Sequence, residues 1–149
     1  KRFGIDVSTN PETSALTEDI FRKAVQQHLV QPTLITDHPI ELLPLAKRSP
    51  QNPKTVQSFQ LYIGGIELVK AFSELNDPID QRTRLEAQEE LGKRGDEEAQ
   101  RIDEDFIENL EYGMPPSAGF GLGIDRFMLL LTDTHNLREV ILFPTLRPN

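Results

Sequence analysis

Along this sequence the spacing of apolar side chains shifts between helical and alternating patterns, and the shifts mark out the expected elements. Ile20, Phe21, Ala24, Val25 and Leu29 recur as one helical stripe. Thr17 stands before them as a candidate N-cap, with Glu18 and Asp19 in the first turn, where the helix dipole favours acids. This pattern predicts a firmly packed helix stopped by Pro32, preceded by a flexible segment over residues 1–16. Thr33 to Thr36 reads as a short strand closed by Asp37, His38 and Pro39. An apolar run over residues 40–46 leads into Lys47 to Lys54, where three cations and two prolines predict a loop facing water or a polyanion.

The clearest alternation runs from Val56 to Leu75, interrupted by Gly64-Gly65, and predicts a tight hairpin. Residues 79–94 have high helix propensity, but Ile79, Leu85 and Leu91 do not share a face, so a largely solvated helix is expected. Phe106, Ile107 and Leu110 predict a further helix over 103–112, ended at Gly113. A small-residue strand over 117–123 is followed by Ile124 to Thr132, apolar nearly all round and expected to be a buried helix. Leu137 to Phe143 reads as a last strand.

At 149 residues with 37% hydrophobic and 27% charged content, the chain is the size of one globular domain. A net charge of −8 argues against clamping a nucleic-acid backbone unaided. The absence of Cys, with His28, His38 and His135 far apart in sequence, excludes a structural zinc site. No apolar stretch approaches the roughly 20 residues of a membrane span, and no signal-peptide pattern follows Lys1-Arg2-Phe3, so a cytoplasmic protein with no membrane partner is expected.

Two constellations carry chemistry. Gly119, Gly121 and Gly123 fall on one face of a strand, an open floor for a flat ring or a phosphate chain, and Arg126 follows as a planar cation suited to stacking and phosphate pairing. The same residues also suit close strand-to-helix packing with Arg126 paired to an acid such as Asp125. Lys70, Phe72 and Glu74 share a strand face, where a carboxylate beside an aromatic wall suits a cation on a methylene stem. A solvated Lys-Glu pair is the alternative.

Taken in order, Asp37-His38-Pro39, Pro44 to Lys47, Glu67, Glu74 to Pro78, Asp103 to Phe106, Gly113 to Pro116, Gly121 to Arg126 and Arg138 to Pro144 resemble the C-terminal part of the class II lysyl-tRNA synthetases over residues 21–149. The resemblance implies an α+β fold, an antiparallel sheet flanked by helices, with residues 17–149 forming the C-terminal portion of a class II catalytic domain. It implies activation of lysine with ATP and transfer to tRNA(Lys), with Mg2+ on the nucleotide and a homodimeric parent. Arg126 would then stack on adenine and reach the phosphates as the catalytic cation, and Gly121 and Gly123 would line the pocket. Glu67 would coordinate the metal, Glu74 would hold the lysine ε-ammonium and Phe72 would pack on its methylenes. To reach the same ligand, Glu67 must change faces, which predicts a bulge or tight turn near Leu68-Val69.

Three positions depart from the family pattern. Gln60 replaces a second metal-binding Glu, Lys70 replaces an Asn of the lysine pocket, and Leu43 replaces a Ser. Lys70 is free to pair with Glu67 or Glu74, to meet a substrate anion, or to repel a lysine substrate. Nothing resembles the family's first motif, its second motif or its anticodon-binding barrel, so a partial domain is expected that forms lysyl-adenylate poorly by itself. Two further readings are a paralogue that attaches a lysine-like group to a protein, and a non-catalytic interaction module derived from a synthetase.

Overall fold

The computed structural model describes residues 13–95 and 99–145. Most of the segment expected to be flexible, residues 1–12, lies outside the described residues. The first helix, α1 (Thr13–Ile20), begins before Thr17, which is therefore an interior residue and not the N-cap. Helical backbone continues as a π turn over Phe21–Val25 and a 3-10 turn over Gln26–His28. A π turn holds more residues than an α turn, so a stripe drawn at α-helical spacing rotates off the packed side. Phe21, Ala24 and Leu29 are half-buried, whereas Ile20 and Val25 are exposed, and the firm packing expected of the whole stripe is not found.

Four strands follow: β1 (Thr33–Thr36), β2 (Ser58–Ile63), β3 (Ile66–Ser73) and β4 (Ala118–Leu122), forming one antiparallel sheet in that order. The β2–β3 turn is Gly64-Gly65 at φ +60° and +75°. Left-handed backbone at both positions suits the right-handed twist of the strands and is open to glycine at little cost. The turn is tied back to the end of the first helical segment, with Gly64 N–H donating to the Val30 carbonyl at 3.0 Å and Gly65 N–H to that of Leu29 at 2.9 Å.

Helix α2 (Pro78–Lys93) starts on Asp77, whose carboxylate accepts from the N–H groups of Ile79 and Asp80. The expectation of a largely solvated helix needs correction: Gln81, Arg84 and Leu85 are buried while Ile79 is exposed. These three lie at i, i+3 and i+4, so the inward face is real but mostly polar. Helix α3 (Glu104–Tyr112), capped by Asp103, brings Ile107 and Leu110 against Leu85, with Leu45, Ile102 and Met114 around them. A second core joins Leu43, Ala46 and Val56, with Ile40, Leu42 and Phe72 packed on it.

Helix α4 (Ile124–Thr132) follows β4 directly and contradicts the expectation of burial. Only Leu129 is buried, and Ile124, Phe127, Met128 and Leu131 are exposed, because the described residues cover the helix from one side only. No strand forms over Leu137 to Phe143: Asn136 caps a 3-10 turn at Leu137–Glu139, and Leu142 and Phe143 lie exposed. The run has strand propensity but finds no ladder to join. The architecture is thus α+β, a four-stranded antiparallel sheet with flanking helices. No helix among the described residues is long and apolar enough to cross a membrane.

Candidate active site

The register of the sheet assembles the site. Between β2 and β3 the pairing runs Ser58–Phe72, Gln60–Lys70, then Leu61–Val69 and Tyr62–Glu67, so Leu68 is an extra residue on β3. This bulge lies where one was expected. Without it Glu67 would point away from Lys70 and Phe72; with it, all three fall on the face that carries Ser58, Gln60 and Tyr62. On the other side of β3, Lys70 faces Gly121 and Phe72 faces Gly119.

Glu74 leaves the end of β3, its N–H donating to the Ser117 carbonyl at 3.0 Å. Its carboxylate lies over Gly119, where a Cβ would collide with it. Glycine at 119 thus leaves room for the carboxylate in this position, which a Cβ would push aside. Gly123 sits at the start of α4, its N–H on the Leu68 carbonyl at 3.0 Å and the Arg126 stem packed across it. The Arg126 guanidinium reaches back to the bulge, with Nη1 donating to the Glu67 carbonyl oxygen at 2.9 Å. It makes no ion pair with Asp125 or any other described acid.

Gln60, Glu67, Lys70, Phe72, Glu74, Gly121, Gly123 and Arg126 therefore meet on or beside one sheet face. Lys70 pairs with neither Glu67 nor Glu74: among the described residues no acid lies within 4.0 Å of its ammonium, and no cation lies within that distance of the Glu74 carboxylate. Both side chains are half-buried. A half-buried charge without a protein partner carries a desolvation cost that an opposite charge on a ligand offsets.

Sequence reasoning singled out Gln60 only as a replaced metal ligand and missed that it, with Tyr62, organises Glu67. Gln60 Nε2 donates to Glu67 Oε2 at 3.3 Å, and the Tyr62 hydroxyl lies 3.4 Å from the same oxygen. Burial, together with the nearby Glu67 charge, pushes the Tyr62 pKa up to about 12, so it remains a proton donor at neutral pH. His38 bonds to Gln60 Oε1 at 2.8 Å and to Ser58 Oγ at 2.7 Å. The available signal was the period-two recurrence of Ser58, Gln60 and Tyr62 along β2.

The donor set fits a divalent cation that arrives with its own oxygen ligands. Mg2+ commonly takes one or two carboxylates plus substrate phosphates, and Glu67 keeps one oxygen, Oε1, that no described protein donor takes. Gln60 fits less well as a ligand, because its Oε1 already accepts from His38. Among the described residues no group of three His, Asp or Glu side chains stands ready to hold a metal by itself.

Residues 4–147 match the family described as tRNA synthetases class II (D, K and N). The chain belongs to this class II synthetase family. It is 51% identical over 145 residues to the lysine–tRNA ligase of Moorella thermoacetica, covering 97% of this chain and 30% of that protein. With the lysine–tRNA ligase of Staphylococcus haemolyticus it shares 49% identity over 147 residues, 99% of this chain and 30% of the relative. With that of Leuconostoc mesenteroides it shares 55% over 128 residues, 86% and 26% of the two chains. The chain thus spans about 30% of the length of these synthetase relatives.

Proposed function

We propose that this chain is the lysine- and ATP-binding part of a cytoplasmic lysine–tRNA ligase, an ATP-dependent class II aminoacyl-tRNA synthetase that forms lysyl-adenylate and transfers lysine to tRNA(Lys), working as a homodimer. The observation that carries this reading is the bulged register at Leu68, which brings the Glu67 carboxylate onto the face where Phe72, the unpaired Lys70 and the glycine floor lie. Glu74 binds the ε-ammonium of lysine and Phe72 lines its methylenes, so the substrate is held by its far end and its carboxylate is aimed at the nucleotide. Gly121 and Gly123 let the nucleotide lie close to the backbone, and Arg126, steadied on the Glu67 carbonyl, stacks on adenine and neutralises phosphate charge. Lys70 supplies a further positive charge toward the phosphates. Glu67 would hold Mg2+, which when bound supplies additional neutralisation of the phosphates.

No protein nucleophile is needed. The lysine carboxylate attacks the α-phosphate, a bond forms between carboxylate oxygen and phosphorus, and pyrophosphate leaves; the residues here orient and neutralise. ATP–pyrophosphate exchange with lysine, run on this chain and on the full-length ligase, tests the reading. The full-length protein is expected to exchange with lysine and the isolated chain to be slower by orders of magnitude. A full-length protein inactive with lysine would overturn the proposal, and an isolated chain of equal activity would show that no further phosphate-binding residues are required.

A further inference from the structure

His38 lies outside the groups assigned above to lysine or ATP, on the segment after β1, yet a continuous line of polar contacts joins it to them. Its Nε2 is 2.8 Å from Gln60 Oε1, and an amide oxygen has no proton to give, so the imidazole donates from Nε2. Nδ1 meets the Ser58 hydroxyl at 2.7 Å, which holds the ring from its other side. With its oxygen held by His38, and the Tyr62 hydroxyl at a longer 3.4 Å from the same atom, the Gln60 amide presents its NH2 group to Glu67, where Nε2 lies 3.3 Å from Oε2. Turning the amide over would set its oxygen against a carboxylate and its NH2 toward the imidazole, which would then accept on Nε2 and carry its proton on Nδ1 toward Ser58. The Gln60–Glu67 contact would be lost.

We infer that His38 is a positioning residue for Glu67, acting through Gln60: it locks the amide so that Glu67 Oε2 is bound by protein donors and Oε1 is presented to a cation carried by the nucleotide. Gln60 is then the middle link of this line and not itself a ligand. The cation half of the inference rests on the proposed role of Glu67, whereas the positioning half rests on geometry alone. Outer partners that orient a metal ligand typically change metal affinity by about 10- to 100-fold when removed.

The test uses the full-length ligase, its His38→Ala variant and its His38→Gln variant, whose side-chain amide keeps a donor at similar reach. Ligand-free crystal structures of the three report the positioning. The Gln60–Glu67 contact is expected to break in His38→Ala and to persist in His38→Gln; an unchanged contact in His38→Ala overturns the inference. Mn2+ binding in the presence of ATP, followed by electron paramagnetic resonance, reports the consequence. A weakening of about tenfold in His38→Ala, with recovery in His38→Gln and lysine affinity unchanged, supports a positioning role. Equal weakening toward lysine and Mn2+, or failure of His38→Gln to recover, marks a merely structural histidine and counts against it. If the unsubstituted ligase binds no Mn2+ with ATP, the nucleotide reading of Glu67 fails, and the crystal structures alone decide whether His38 positions it.

Discussion

The sheet face and the α2 layer treat charge in opposite ways. In the α2 layer the buried Arg84 gives two hydrogen bonds to Asp80, at 3.0 and 2.6 Å, and a third to the Ala46 carbonyl at 2.6 Å, while Arg48 reaches the same Asp80 at 3.3 Å. Arg82 forks onto Glu104 from α2 to α3 at 2.9 and 2.7 Å. On the sheet face, by contrast, Lys70 and Glu74 are half-buried without an opposite charge from the described residues. Paired charges in a layer next to a core hold elements together. Unpaired charges on an open face are available to a ligand, so the two regions should respond to mutation in opposite ways.

The largest expected effect lies at the sheet face. On the proposed function, Glu74→Gln in the full-length protein removes the charge but keeps the shape, and kcat/KM for lysine should fall by about 10³-fold, near 4 kcal/mol, with thermal stability nearly unchanged. A stability loss with little kinetic effect would make Glu74 a structural acid and erase the contrast. Next in size, Ile107→Ala empties a fully buried site beside Leu85 and should cost about 3 kcal/mol in urea denaturation while leaving the KM for lysine unchanged. Gly119→Ala then tests the support of Glu74: the added methyl displaces the carboxylate, and the KM for lysine should rise by about tenfold.

A smaller change is expected from Gln60→Glu with Lys70→Asn, which exchanges an ammonium for a second carboxylate. Lysine activation should become more dependent on Mg2+ by about threefold in the concentration required. An unchanged magnesium titration would remove Lys70 from the phosphate site. The smallest effect concerns acid. Hydrogen bonds from Arg84 hold the Asp80 carboxyl below its ordinary value of 3.8, with partial burial opposing them. A carboxylate depressed in the folded state contributes stability that is complete above its unfolded pKa and lost as pH falls through the folded one. Asp80→Asn should therefore lower the urea midpoint near neutral pH, yet that midpoint should decline less between about pH 5 and about pH 3 than in the unsubstituted protein.

Much of the site is legible in the amino-acid order because strand geometry is local. Gly64-Gly65 announces the hairpin, and the pleat places Lys70 and Phe72 together without knowledge of the rest of the fold. Glu67 is different. Its parity puts it on the wrong face, and only a family resemblance that assigned it to the same ligand called for the bulge found at Leu68. The α2 face was illegible for another reason: its buried members are mainly Gln81 and Arg84, whose N–H groups go inside because distant carbonyls meet them, while Gln81 Oε1 is buried with no partner among the described residues. Those partners, the carbonyls of Pro44 and Ala46, lie far away in sequence.

Helix α4 and the Leu137 to Phe143 run show the converse. Their composition states a need for burial or pairing, but whether anything meets that need depends on what packs against them. The sequence alone determined the element types outside Leu137 to Phe143, the hairpin, the glycine floor and the identities of the charged groups, because propensity and side-chain period act over a few residues. Only the tertiary structure decided which charges are paired, that His38 reaches Glu67 through Gln60, and that Lys70 stands apart from Glu67 and Glu74. Those outcomes depend on contacts between distant segments, and hydrogen bonds and ion pairs are decided within a few tenths of an ångström.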